Sequence, residues 1–86
     1  NIMKLFINAS VRENKTAHSG PSVPLSINYL LSINSIVALK SYSTNGDYQA
    51  ILRDADLEAI RRKDFPQNSH IEVVLLDAKE VKKLLE

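Results

Sequence analysis

The last seventeen residues, His70 to Glu86, set a β-branched run directly against a helical pattern, so one end of the fold must be a strand followed by a helix. Ile71, Val73 and Leu75 share one parity of a strand, while Val74 and Leu76 make its end apolar on both faces. Asp77 and Glu80 then form a D-x-x-E version of the capping box: Asp77 accepts from orphan helix N–H groups and Glu80 reaches back. Ala78, Val81, Leu84 and Leu85 make an apolar stripe at three- and four-residue spacing, with Lys79, Lys82, Lys83 and Glu86 pointing away. A strand that is apolar on both faces needs neighbours and cover, and an amphipathic helix needs a sheet, which together predict an α+β domain.

The rest of the chain supplies that sheet. Met3, Leu5, Ile7, Ala9 and Val11 alternate with Lys4, Asn8, Ser10 and Arg12, the period of a half-buried strand, with Phe6 as an aromatic on the polar side. Glu13 to Ser22 is a loop by composition. Pro24 to Ile33 fits either period, because Leu25, Ile27 and Tyr29 alternate while Ile27, Leu30 and Leu31 fit a helical turn; a short strand ending near Asn34 is the favoured reading.

Asn45-Gly46 is the preferred pair for a two-residue type I′ hairpin turn, since both residues tolerate positive φ. Folding about it pairs Ser43 with Tyr48, Ser41 with Ala50, Lys40 with Ile51 and Leu39 with Leu52. Val37, Leu39, Ala50 and Leu52 then share one apolar face, as a correct register requires. A helix from Asp47 through Tyr48, Ile51, Leu52 and Ala55 is the rival. From Asp54 to Lys63 the acids come early and the bases late, with an N-cap candidate at the start, the order that suits a helix dipole; about two turns are expected. Pro66 disfavours helix at Phe65 and ends it. The expected fold is a single small α+β domain over 1–86: an antiparallel sheet of about four strands with two short helices, the second C-terminal.

Eleven basic side chains against ten acidic ones leave no excess for gripping a bulk polyanion, so nucleic-acid binding is not expected and any anion site is local. A chain without cysteine has neither disulfides nor thiolate chemistry, and two histidines far apart make a poor zinc set. There is no phosphate loop, nucleophile elbow or H-E-x-x-H motif, hence no expected enzyme activity, cofactor or metal. No membrane span or secretory signal is legible, and a reducing cytoplasm suits the composition.

The arginines are the best candidates for a site. Arg61, Arg62 and Lys63 stand at the end of the expected helix, followed by Phe65, Asn68 and His70, and Arg12 borders the first loop. Guanidinium forks grip phosphate bidentately, and an aromatic or imidazole beside them can hold a base. Each residue also has a plainer role: bases complement a helix C-terminus, Phe65 can plug the core, Asn68 suits a turn and His70 a strand start. Asp54 and Asp56 are read as helix-start acids.

The alternating run Lys4 to Arg12, the hairpin region, and Leu57 to Glu86 with two short helices around a strand resemble in layout the phage-encoded Thoeris anti-defence sponge proteins. That resemblance implies a homo-oligomer that sequesters a cyclic nucleotide signal without degrading it, in the cytoplasm of a bacterial host. A second likeness, to short flagellar-regulator proteins made of a few strands and a C-terminal helix, implies a protein-binding module; the rival function is accordingly a protein-interaction or scaffold subunit without a ligand, for which Phe6, Tyr29 or Tyr42 would be the docking residues. Under the first reading the ligand-binding residues are Arg12, Arg61, Arg62, Phe65, Asn68 and His70, placed between subunits because a small chain builds a deep pocket most readily at an interface.

Overall fold

The structure, a computed structural model, describes residues 6–14, 24–43, 46–76, 79 and 83. Its elements are β1 (Phe6–Glu13), β2 (Ser26–Ser32), a 3-10 turn (Ile33–Ser35), β3 (Ile36–Ser41), β4 (Tyr48–Leu52), α1 (Asp54–Asp64) and β5 (Ile71–Leu75). They form one antiparallel sheet in the order β2-β1-β5-β4-β3. The sheet has five strands where about four were expected; the segment that fits either period is a strand, as favoured, in register with β1 from Phe6↔Ser32 to Arg12↔Ser26. Lys79 and Lys83 lie in helical backbone and are exposed; the Asp77–Glu80 capping box and the stripe of Ala78, Val81, Leu84 and Leu85 lie outside the described residues. No helix among the described residues is long and apolar enough to cross a membrane.

The connection from β2 to β3 dictates the sheet's shape. These strands occupy opposite edges and run in the same direction, yet only three residues join them. Four steps from Ser32 to Ile36 reach roughly 14 Å at full extension. A flat sheet would hold its edges about 19 Å apart, at about 4.8 Å per strand, before counting the return along the strand's own length. The sheet must therefore coil until its edges approach, making a half-open barrel around its apolar face.

That inner face carries Ile7, Ala9 and Val11 of β1, Leu31 of β2, Val73 and Leu75 of β5, Ala50 and Leu52 of β4, and Ile36 of β3, all buried. The alternation read in the opening strand is thus real: Ile7, Ala9 and Val11 are at most 1% exposed while Phe6 and Asn8 are exposed. Leu57, Ile60 and Phe65 bring α1 across this face. The helix starts beside β3, where the Arg53 N–H donates to the Ser35 carbonyl (3.0 Å), and ends beside β2, where the Tyr29 hydroxyl donates to the Asp64 carboxylate. It runs eleven residues, about three turns rather than two. Arg53 is the N-cap, with no side-chain capping bond, and Asp54 and Asp56 sit inside the first turn, acting on the dipole. Phe65 leaves the helix in extended geometry, as Pro66 requires.

The hairpin is present, and the rival helix from Asp47 is not: β4 fills Tyr48–Leu52. Its register differs from the two-residue turn by two positions, with Leu39↔Ala50, Lys40↔Gln49 and Ser41↔Tyr48. The Tyr42 N–H donates to the Asp47 carbonyl (2.9 Å) and the Gly46 N–H to the Ser43 carbonyl (3.3 Å), so four residues close the loop, with Gly46 at φ +90°. A slip of two preserves which side chains face inward, which is why the apolar face survived the wrong register. Val37 is the exception. A bulge between Ile36 and Ala38 sets two residues of β3 against Ile51, which turns Ile36 inward (7% exposed) and Val37 outward (58%).

One seam interrupts the sheet. β1 registers with β2 and β5 over long ladders, and β3 with β4, but β4 meets β5 in a single pair, Gln49↔Val74.

Candidate functional site

The structure divides the six expected ligand residues among different environments. At the C-terminal end of α1, Arg61, Arg62 and Phe65 line a shallow depression of ≈ 270 Å³ together with Gln67. Arg61 is committed to Glu58 one turn earlier: its Nε donates to Oε2 at 2.9 Å and its Nη2 to Oε1. That fork holds the Glu58 carboxyl below its ordinary range. Arg62 is exposed and carries the uncommitted guanidinium of the pair. Phe65 is buried at 7% exposure among the core residues, so it forms the floor of the depression and has no free face on which a base could stack.

Asn68 and His70 do not line this depression. Asn68 has φ +64° at the third position of a turn in which the Ser69 N–H and Oγ both donate to the Pro66 carbonyl, at 3.1 and 2.6 Å. A left-handed residue there explains the asparagine by backbone geometry alone. His70 is exposed, and its carbonyl accepts from the Asn14 N–H at 2.7 Å, extending the β1–β5 pairing.

Arg12 lies on the other side of the sheet altogether. It alternates with the buried Val11 and so projects from the outer face, while α1 covers the inner one. A pocket shared by Arg12 with Arg61 or Arg62 of the same chain is therefore excluded. On the outer face Arg12 belongs to a polar cluster that sequence reasoning did not assemble. Its Nε donates to Ser10 Oγ (3.1 Å), which is in turn hydrogen-bonded to Ser26 Oγ (3.1 Å), and the Tyr42 hydroxyl donates to Glu72 Oε1 (2.9 Å). The bond to Glu72 raises the Tyr42 pKa above its ordinary value, aided by partial burial and the Glu72 charge, while Arg12 nearby opposes the shift. Tyr42 thus ties the hairpin to β5 across the weak seam. The signal in the sequence was only that Arg12, Glu72 and Ser10 fall on the polar parity of their strands.

Beside this cluster the outer face is apolar. Asn8 stands opposite Leu30, and on its other side its carbonyl accepts from the Leu76 N–H (3.2 Å), so Leu30 and Leu76 flank it, with Phe6 one step along the same face. Phe6, Leu30 and Leu76 are 50%, 65% and 53% exposed. Such a corner is an unusual thing to leave in water.

Comparison with protein-family models, with curated proteins and with solved structures gives no match. Among the described residues no group of three or more histidine, aspartate or glutamate side chains is placed to hold a metal ion.

Proposed function

We propose that this chain is a non-catalytic interaction subunit that self-associates through the outer face of its sheet. The observation that carries this reading is the corner of Phe6, Leu30 and Leu76, three large apolar side chains half or more exposed around Asn8. The occupant is a second copy. Net charge of +1 opposes no self-approach, the corner itself holds no charge, and the adjoining strand β2 is an edge whose outer side has no ladder partner among the described residues. Two β2 edges pairing antiparallel about a twofold axis would continue the sheet and bring both corners together. A small chain with a modest core gains from such burial. The test is native mass spectrometry across a concentration series, with Leu30→Asp as the probe. The wild type forms a dimer or higher oligomer, and Leu30→Asp is monomeric with an unchanged circular dichroism spectrum. A wild type that stays monomeric at every concentration overturns the reading.

A second reading is favoured by the Arg62 guanidinium and Gln67 at the open depression: sequestration of a phosphorylated nucleotide, a cyclic signal in its most specific form, at a pocket whose missing wall another copy would supply. Calorimetry against cyclic dinucleotides, cyclic trinucleotides and cyclic ADP-ribose isomers tests it, with intact ligand recovered after denaturation. Loss of binding in Arg62→Glu supports it, and silence across the panel removes it.

A further inference from the structure

We infer that the β3–β4 hairpin is a hinged flap, attached to the molecule at its base and latched at its tip by Tyr42 on Glu72. Both places where the chain passes between this hairpin and the rest of the fold lie together. The 3-10 turn Ile33–Ser35 leads into β3, Arg53 leads out of β4, and the Arg53 N–H donates to the Ser35 carbonyl at 3.0 Å. The two crossings therefore form one hinge. From there the hairpin runs as a unit, paired from Ile36↔Leu52 to Ser41↔Tyr48 and closed at its tip by the Tyr42 N–H on the Asp47 carbonyl. The remaining strands make a second unit, in which β1 is paired along its length with β2 and β5.

Little joins the two units along the seam. Gln49↔Val74 is the one ladder pair, and between it and the hinge a cavity of ≈ 110 Å³, lined by Ala50, Leu52, Ile71 and Val73, separates the strands. Core burial grips the flap at its base and releases it toward its tip. Ile36 and Leu52, at 7% and 4% exposure, are paired with each other beside the hinge, whereas Ser41 near the tip is exposed. The Tyr42 hydroxyl then spans from the tip to Glu72 Oε1 at 2.9 Å, a bond placed where leverage about the hinge is greatest. Segments with few buried apolar contacts open without global unfolding, and a hinged element with a far-end bond moves as one piece. Lifting the flap bares the facing edges of β4 and β5 together with Val73 and Leu75, both buried when it is closed. The flap lies at the opposite edge of the sheet from β2 and is independent of self-association there.

Native-state hydrogen exchange by nuclear magnetic resonance on the intact chain, over a series of low urea concentrations, tests the flap. Strand β5 supplies its own control. The Leu76 N–H donates to the Asn8 carbonyl, so by alternation the Val74 and Glu72 amides face β1 and the Leu75 amide faces β4. The Tyr42 N–H on Asp47 likewise turns the Gln49 amide toward β3 and the Ala50 amide toward β5. Leu75 and Ala50 should exchange on the order of tenfold faster than Val74 and Glu72, through an opening that depends weakly on urea. Tyr42→Phe should speed Leu75 and Ala50 in the absence of urea by about fivefold, the shift that loss of one ordinary hydrogen bond gives. Equal rates and equal urea dependence at all four amides of the wild type overturn the flap, without need of any variant. Unchanged exchange of Leu75 and Ala50 in Tyr42→Phe overturns the latch, and the proposal with it.

Discussion

The bulge in β3 makes a prediction that separates two neighbouring residues by several-fold in energy. Ile36 is 7% exposed and Val37 is 58% exposed, the reverse of what an uninterrupted alternation from the Asn45-Gly46 turn would give. Ile36→Ala removes three carbons from a buried site at about 0.8 kcal/mol each, and incomplete collapse of the cavity adds to that, for about 3 kcal/mol in all. Val37→Ala removes two carbons that are less than half buried, for about 0.7 kcal/mol at most. Urea unfolding followed by circular dichroism measures both, with an unchanged m-value as evidence that the same surface is being exposed. In a chain of this size the first variant should lower Tm by about 12–24 °C and the second by at most about 6 °C. Should Ile36→Ala prove too unstable to handle, Ile36→Val, at about 1 kcal/mol, still exceeds Val37→Ala. A cost for Val37→Ala equal to or above that for Ile36→Ala refutes the bulge and the face assignment of β3 with it.

Three further outcomes follow from the geometry. Tyr42 has a raised pKa in the fold, so its contribution to stability is intact below its ordinary value of 10.0 and is lost as pH climbs through the raised one. Tyr42→Phe should therefore be somewhat less stable at neutral pH and lose less stability between neutral and strongly alkaline solution, checked by Tm against pH; parallel curves would show that the bond to Glu72 is not made. Gly46 has φ +90° with nothing within 4 Å of an added Cβ, so Gly46→Ala should cost about 1–2 kcal/mol through backbone strain alone, and equal stability in urea unfolding would contradict the four-residue loop. Asn68→Gly should change stability by less than about 0.5 kcal/mol while Asn68→Val destabilises; a loss of ligand binding in Asn68→Gly at unchanged Tm would instead restore the residue to the site.

The legible parts of the fold were those where one period had one explanation. Ile7, Ala9 and Val11 could alternate only as a strand with one buried face, and the acids and bases from Asp54 to Lys63 could serve only a helix running in that direction. The register at the hairpin was not legible, because Asn45-Gly46 suits a two-residue turn as well as a longer one, and choosing between them depends on whether Tyr42 and Asp47 pair as strand residues. The bulge was hidden for a related reason. Ile36 and Val37 are both β-branched and apolar, so composition offers no hint of which is turned inward; the choice is made by the 3-10 turn, which must deliver the chain from one edge of the coiled sheet to the other.

The site was less legible than the fold because a basic residue is explained twice over wherever it stands. Arg61, Arg62 and Lys63 complement the end of α1 whether or not a ligand exists, and only the three-dimensional arrangement shows that Arg61 is spent on Glu58 while Arg62 is not. Arg12 was grouped with them by residue type, yet strand parity alone puts it on the face opposite α1, an inference open to the sequence once β1 is accepted and the helix is assigned to the Ile7 side. The outer face required more than parity. Leu30 and Leu76 flank Asn8 only because β1 lies between β2 and β5, an order that no local pattern in the sequence announces. Interaction surfaces of a coiled sheet are thus set by strand order, and strand order is the property that residue periodicity constrains least.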